Sequence, residues 1–270
     1  MKTETLVVPG ATLYYEVRGT GPVLLLICGG IYDAEAFAGL ADALADVHTV
    51  VTYDRRGNSR SPLAGPPVEQ RVEEHADDAY RLLAAVGVTE SDPADVFGNS
   101  SGATFALELA ARHSALLRTV VAHEPPVFEL LPDAAHWRTV MHEVTDTFRQ
   151  AGWGAAMGVF GAALGMGPEP AEGAPPSPAF AARMQRNMEF FVGYEVLPVG
   201  LYTPDLDALR AGPARIVAAA GAASAGEPPH RAALELASRL GGPPAALFPG
   251  AHGGFADTTP FAASLRAALG

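Results

Sequence analysis

One serine lies between two glycines in a setting that favours nucleophilic chemistry. Residues 96–103 read Val-Phe-Gly-Asn-Ser-Ser-Gly-Ala, after a short strand-forming run and before a helix-forming run. A tight strand-to-helix turn strains its central residue and presents that residue's hydroxyl above a sheet, beside the free amides of the helix start. The sequence therefore predicts Ser100 as a nucleophile. The alternative is a tight turn whose serine only caps a helix.

A nucleophilic serine needs a base, and the chain has eight histidines. His252 stands in the glycine-rich segment 248–254, directly after the last predicted strand, and follows the serine in chain order. It is the predicted general base, although it could be an ordinary loop histidine. His123, at the end of another strand, is the competing candidate, and we interpret it as a packing residue. Three others are expected at the surface: His48, His75 and His113.

Composition and charge narrow the classes of partner. The 270 residues include 18 basic and 30 acidic side chains, a formal charge of −12, and 49% are hydrophobic. An acidic surface repels phosphate backbones and anionic lipid, so nucleic acid and membrane surfaces are poor partners. The apolar fraction is enough for one sizeable core.

The single cysteine, Cys28, excludes a disulfide framework and a cysteine-based metal site. Residues 1–5 have no apolar leader, and the longest purely apolar run, 23–28, is far short of the ~20 residues of a membrane span. We expect a soluble, cytoplasmic protein without metal or cofactor. A possible homodimer is left open.

Strand-like and helix-like segments alternate at both ends of the chain. Predicted strands cover residues 6–8, 12–17, 23–28, 48–53, 94–97, 119–123, 215–219 and 245–248. Predicted helices cover 34–47, 68–86, 103–112, 230–240 and 260–269. This alternation predicts an α/β fold: a mostly parallel sheet with helices on both faces and an opening hairpin at its edge.

The alternation stops between residues 125 and 205, which are helix-like and rich in Met, Phe and Trp. We predict a core domain of residues 1–124 and 206–270, and a helical cap of residues 125–205 inserted after the sixth strand. The cap should cover the carboxyl ends of the strands, where open α/β sheets bind ligands. Two proline-rich strings within it, at 167–170 and 174–178, predict a mobile loop.

These features together resemble the α/β-hydrolase family over nearly the whole chain. The resemblance rests on four strings: Cys28-Gly29-Gly30, Asp54 to Ser59, Gly98 to Gly102, and Gly250-Ala251-His252. It implies the α/β-hydrolase fold and a serine hydrolase for a carboxylic ester or lactone.

The family's usual acid is missing from the segment after the seventh strand, residues 221–226. Glu124, at the end of the sixth strand, is the predicted replacement, because a triad histidine needs a carboxylate partner. Glu227 and the absence of any acid are the alternatives. The order Ser100, Glu124, His252 resembles the zearalenone lactonases within the family, which makes a zearalenone-type macrolactone the favoured substrate.

The resemblance also implies an oxyanion hole and an apolar binding site. Two backbone amides should hold the oxyanion: that of Ser101, and that of Gly30 with Ile31 as its neighbour. The predicted substrate contacts are Ile31, Trp153, Met157, Phe190, Phe191 and Tyr194. They imply a small apolar or aromatic ester or lactone.

Two rival functions stay open. The missing acid would also suit a non-hydrolytic receptor or a cyclase that keeps only the pocket of the scaffold. A hydrolase of carbon–carbon bonds or thioesters would use the same residues. A carboxylate-nucleophile enzyme is disfavoured, because the turn carries Ser100 instead of Asp.

Overall fold

The computed structural model describes residues 1–165 and 177–270, and its strands form one eight-stranded sheet. The strands are β1 (Lys2–Val8), β2 (Ala11–Arg18), β3 (Val23–Ile27), β4 (Thr49–Tyr53), β5 (Ala94–Asn99), β6 (Leu117–His123), β7 (Arg215–Gly221) and β8 (Ala246–Phe248). Their order is β1-β2-β4-β3-β5-β6-β7-β8. β1 and β2 form the expected antiparallel hairpin at one edge, β2 pairs antiparallel with β4, and the other neighbours are parallel. The predicted α/β fold with a mostly parallel sheet is confirmed.

Helices cover both faces of this sheet. The helices are α1 (Ala38–Leu44), α2 (Val72–Ala85), α3 (Ser101–His113), α4 (Ala134–Ala151), α5 (Trp153–Leu164), α6 (Pro178–Phe190), α7 (Val196–Gly200), α8 (Leu206–Ala211), α9 (Pro228–Leu240) and α10 (Thr258–Leu269). Alternate residues of β3 point to opposite faces: Leu25 and Ile27 join the core under α2, α3 and α9, while Leu24 and Leu26 join the core under α1 and α10. The parallel strands are therefore buried on both faces, as their apolar runs indicate.

Two helices begin later than their periodicity predicts. The segment predicted as a helix over 34–47 starts with a 3₁₀ turn, Ala34–Phe37, whose first turn is capped by the Asp33 carboxylate accepting from the Glu35 amide. The helix predicted over 68–86 starts at Val72, because Arg71 is extended and its amide donates to the Glu74 carboxylate. Such side-chain caps fix where a helix begins.

The described part of the segment between β6 and β7 contains α4 to α8 together with a π-helical turn, Phe191–Glu195. The division into core and cap at residues 124 and 206 stays a prediction. Most of the predicted proline-rich loop lies outside the described residues. Within the described ranges, no helix has the length and apolar character needed to cross a membrane.

Candidate active site

Ser100 occupies a strained turn between β5 and α3. Its φ of +56° is in the left-handed region, which non-glycine residues adopt only at a cost. The two flanking glycines allow the turn: a Cβ on Gly98 would lie 2.6 Å from Ala103 Cα, and one on Gly102 would lie 2.8 Å from the Ile27 carbonyl carbon. Gly98 on β5 packs against α3, and Gly102 on α3 packs against the end of β3, too closely for a side chain at either position. Ser100 is thereby presented at the start of α3.

Glu124 also has a positive φ, +48°, directly after β6. Its Oε2 lies 2.6 Å from His252 Nδ1, and the other carboxylate oxygen accepts from the Gly221 amide at 2.8 Å and from the Ser224 hydroxyl. The structure thus brings Glu124 and His252 together across 128 residues of chain. Residues 221–226, at the end of β7 and beyond it, lack an acid and instead supply two hydrogen-bond donors to the acid that directly follows β6.

Sequence reasoning did not identify the roles of Gly221 and Ser224. The signal available was a small-residue segment with one hydroxyl at the place where the family's acid is expected. Nothing in that string alone indicates a partner about 100 residues away.

The environment of Glu124 keeps its carboxylate charged. Burial raises its pKa, but hydrogen bonding and charge attraction from His252, with the bonds from Ser224 and Gly221, outweigh burial and lower the pKa to about 2. A charged carboxylate orients the His252 Nδ1–H toward itself and leaves Nε2 as the acceptor. That is the tautomer a general base needs.

Asn99 connects the strained turn that carries Ser100 to the loop that carries His252. Its side-chain amide donates to the His252 carbonyl at 3.0 Å and contacts His123 Nδ1 at 3.1 Å. Burial lowers the pKa of His123 to about 4, so its ring is neutral near pH 7 and can accept from Asn99. His123 is thus a buried packing residue that supports the site, in agreement with its interpretation from sequence.

Ser100 and His252 line one cavity of about 280 Å³ at the carboxyl ends of the strands. Among the described residues around it, none is Asp, Glu, Lys or Arg. Its walls come from the loop that follows β3 (residues 28–33, the β3 loop) and from the segment after β6. They also come from α4, α5, the π-helical turn and α7. The large apolar side chains not foreseen as contacts are Phe128, Met141, Phe160, Leu164, Val196, Val199 and Phe255.

Three of the predicted substrate contacts line this cavity: Ile31, Met157 and Phe191. The other three do not, and this corrects the expectation. Trp153 packs against the main core at the start of α5. The Phe190 ring fills the space over Gly57 and contacts Tyr194 at 5.4 Å between ring centroids, and Tyr194 also contacts Phe148. These aromatic side chains therefore pack against other parts of the protein instead of lining the cavity.

The expected oxyanion donors differ in availability. Ser101 is the first residue of α3, where amides have no partner within the helix, and its N–H makes no hydrogen bond in the described chain. The Gly30 amide, in contrast, donates to Ser101 Oγ at 2.8 Å. The amide of its neighbour Ile31 makes no hydrogen bond within the described part of the chain. Both Gly30 and Ile31 line the cavity.

Comparisons with known proteins agree with this architecture. A family model described as the alpha/beta hydrolase fold matches residues 22–170. The chain is 37% identical over 257 residues to an uncharacterized hydrolase, YraK, of Bacillus subtilis, covering 93% of this chain and 89% of the relative. It is 30% identical over 118 residues to the zearalenone hydrolase of Bionectria ochroleuca, covering 43% and 44% of the two chains. A thermophilic esterase from Thermogutta terrifontis superposes with a TM-score of 0.72 at 17% identity over 100% of both chains.

Proposed function

Because the chain belongs to the alpha/beta hydrolase family, we propose that this hydrolase is a serine hydrolase of neutral, apolar carboxylic esters or lactones. The observation that carries the proposal is the 2.6 Å contact between Glu124 and His252 beside the same cavity that Ser100 lines. A strained serine, an oriented histidine and a buried carboxylate are the parts of a Ser-His-acid triad.

In the proposed mechanism, Ser100 Oγ attacks the substrate carbonyl while His252 Nε2 takes its proton. The amide of Ser101, with an amide of the β3 loop, stabilises the negative oxygen of the tetrahedral intermediate. Collapse releases the alcohol, which takes the proton from His252, and leaves an acyl group on Ser100. His252 then activates water to hydrolyse this acyl-enzyme. Glu124 stabilises the imidazolium in both steps.

The cavity supports the choice of a neutral substrate. A charged substrate group would lose its water there without gaining an opposite charge, since the described lining has no Asp, Glu, Lys or Arg. Its volume of about 280 Å³ is just below the roughly 300–1,000 Å³ that small-molecule sites enclose. This size favours compact esters and lactones.

A zearalenone-type macrolactone remains the specific candidate. Its support is the order of Ser100, Glu124 and His252 together with the partial match to the zearalenone hydrolase. That match covers less than half of either chain, so the substrate has to be tested directly.

The test is a hydrolysis panel with wild type and Ser100→Ala. It spans p-nitrophenyl acetate, butyrate and octanoate, a six-membered lactone, a thioester and zearalenone, with products identified by mass spectrometry. We expect Ser100-dependent release of acid from at least one neutral ester or lactone. Binding of a panel member without any Ser100-dependent product would contradict the proposal and favour the receptor or cyclase alternative.

A further inference from the structure

A buried arginine contacts the loop that borders the proposed oxyanion hole. Arg55 is fully buried directly after β4. Its Nη1 donates to the Cys28 carbonyl at 2.6 Å, and its Nη2 donates to the Gly30 carbonyl at 2.6 Å. One rigid, planar guanidinium therefore fixes two carbonyl groups of the loop that follows β3.

These bonds determine where the loop amides point. In a trans peptide the C=O and the following N–H point in opposite directions. The bond to the Gly30 carbonyl therefore turns the Ile31 N–H away from Arg55. A cationic donor also polarises the peptide group, which strengthens its N–H as a donor.

Arg55 is in turn oriented by a carboxylate from the insert between β6 and β7. Glu195 ends the π-helical turn Phe191–Glu195, and its Oε2 lies 3.0 Å from Arg55 Nη2. Its other oxygen accepts from Asn58 Nδ2 at 3.1 Å and lies 3.4 Å from His75 Nε2. His75, expected at the surface, is buried, and burial together with the charge of Arg55 holds its pKa well below its usual value. Arg55 is therefore the cation that compensates Glu195.

A second contact from the insert reaches the same loop. Asn187 on α6 donates to the Ile31 carbonyl at 2.8 Å and accepts from the Ser59 amide at 2.9 Å. Ser59 has a φ of +49°; the other two non-glycine residues with positive φ in the described ranges are Ser100 and Glu124. Backbone strain therefore occurs where Asn187 of the insert contacts the segment after β4, as well as at the proposed triad.

We propose that Arg55 and Glu195 are positioning residues for the oxyanion hole: the insert's carboxylate orients a buried guanidinium, which fixes the Gly30–Ile31 peptide for transition-state binding. This role rests on the proposed hydrolase function. The π-helical turn that carries Glu195 also places Phe191 in the cavity wall, so one turn contacts both the substrate space and the oxyanion loop.

A buried ion pair could also serve stability alone, so the test needs a readout that stability does not change. The primary variant is Glu195→Gln, which keeps the size and shape of the side chain, removes its charge and replaces one acceptor oxygen by an amide donor. The matched control is Glu235→Gln, which removes the charge from an exposed pair with Arg239 at 2.7 Å on α9. Active sites are counted with a fluorophosphonate, so that kcat refers only to folded, reactive protein.

We expect Glu195→Gln to lower kcat about tenfold or more, since removal of a whole oxyanion donor costs about 10²–10³-fold, while KM changes less than about twofold. Asn58→Ala, which removes a neutral partner of Glu195, should give a smaller loss of kcat in the same direction. It is the second test in case Glu195→Gln does not fold. Glu235→Gln should match wild type.

The NMR signal of the Ile31 amide reports directly on the β3 loop. The chain has three isoleucines, Ile27, Ile31 and Ile216, so ¹⁵N-isoleucine labelling gives three amide signals. In wild type, the phosphonate adduct on Ser100 should move the Ile31 amide proton downfield and leave Ile216 unchanged. In Glu195→Gln this shift should be smaller.

The outcomes separate the two proposals. An active wild type whose Glu195→Gln variant has the same kcat and the same Ile31 shift would contradict the positioning role alone. A folded wild type that neither reacts with the fluorophosphonate nor hydrolyses any panel member would contradict the hydrolase function, and the positioning role with it.

Discussion

At the residue scale, Glu124 is contacted by groups from three parts of the chain. His252 comes from the loop after β8, Gly221 from the end of β7 and Ser224 from the segment beyond it. Burying a charged carboxylate costs free energy unless both of its oxygens are hydrogen-bonded, and these three groups supply those bonds. The arrangement therefore explains why this chain can lack an acid after β7.

Replacement of this acid should remove most of the activity. Glu124→Gln keeps the shape but cannot stabilise an imidazolium, so kcat should fall about 10³–10⁴-fold. The control is Glu227→Gln, because Glu227 is exposed and its side chain makes no capping bond at the start of α9. Steady-state kinetics on a p-nitrophenyl ester measures both. Comparable losses in the two variants, or none in Glu124→Gln, would contradict the assignment.

The low pKa of Glu124 also predicts how stability depends on pH. A carboxyl whose pKa falls from 4.5 to about 2 on folding contributes about 3 kcal/mol. This contribution is fully present above pH 4.5 and is lost as the pH falls toward 2. His252, His230 and His123 face the carboxylate, and His230 Nδ1 lies 3.7 Å from Oε1.

Urea unfolding at pH 6, 4 and 3 provides the measurement. The difference in unfolding free energy between wild type and Glu124→Gln should shrink steadily toward pH 3. A difference that stays constant over this range would show that the carboxylate has a similar pKa in the folded and unfolded states.

At the scale of elements, the backbone of the β3 loop packs directly against the turn that carries Ser100. A Cβ on Gly29 would overlap the Asn99 carbonyl oxygen and lie 2.7 Å from Ser100 Cβ and 2.8 Å from the Ser101 amide. The distance between these two segments, which carry the proposed oxyanion donors, therefore depends on the absence of a side chain at Gly29.

Gly29→Ala should push these two loops apart. We expect a loss of about 1–3 kcal/mol in the free energy of unfolding, with a lower kcat per active site. Gly154→Ala is the matched control at an exposed position of α5, where an added Cβ meets nothing within 4 Å. It should leave kcat unchanged and stabilise by up to about 1 kcal/mol. Equal kcat for the two variants would show that the loop spacing does not matter for catalysis.

Two neighbouring phenylalanines lie where α6 meets the π-helical turn and have different surroundings. Phe191 lines the cavity, while Phe190 packs over Gly57. Phe191→Ala should therefore enlarge the acyl site and raise the ratio of kcat/KM for octanoate over acetate esters about tenfold or more. Phe190→Ala should destabilise the protein but leave that ratio unchanged. The opposite pattern would place the acyl site elsewhere.

At the scale of the whole molecule, the sheet was predictable because central strands such as β3 are continuous apolar runs ended by turn residues. The placement of Ser100 and His252 beside one cavity was predictable, because Ser100 lies in a tight strand-to-helix turn and His252 in a loop at a strand end. Glu124 was accessible only through the absence of an acid after β7. The contacts of Gly221, Ser224 and Glu195 join distant segments, and no local pattern indicates them.

The insert was the least predictable region, for a physical reason. A π-helical turn adds a residue to the helical repeat and so rotates the following side chains relative to a 3.6-residue period. Phe190 precedes this turn and points in a different direction from its neighbour Phe191, while Tyr194 lies within the turn. Aromatic type alone could not separate the three. The predicted contacts Ile31 and Met157 do line the cavity, and Trp153 packs against the core.

The proposed hydrolysis depends on Ser100 being an activated nucleophile. The most direct measurement is intact-mass analysis after brief exposure to a fluorophosphonate, for wild type, Ser100→Ala and Ser101→Ala. We predict a single adduct on wild type and on Ser101→Ala, and no adduct on Ser100→Ala. An unmodified wild type that is folded, or an adduct that persists in Ser100→Ala, would contradict it.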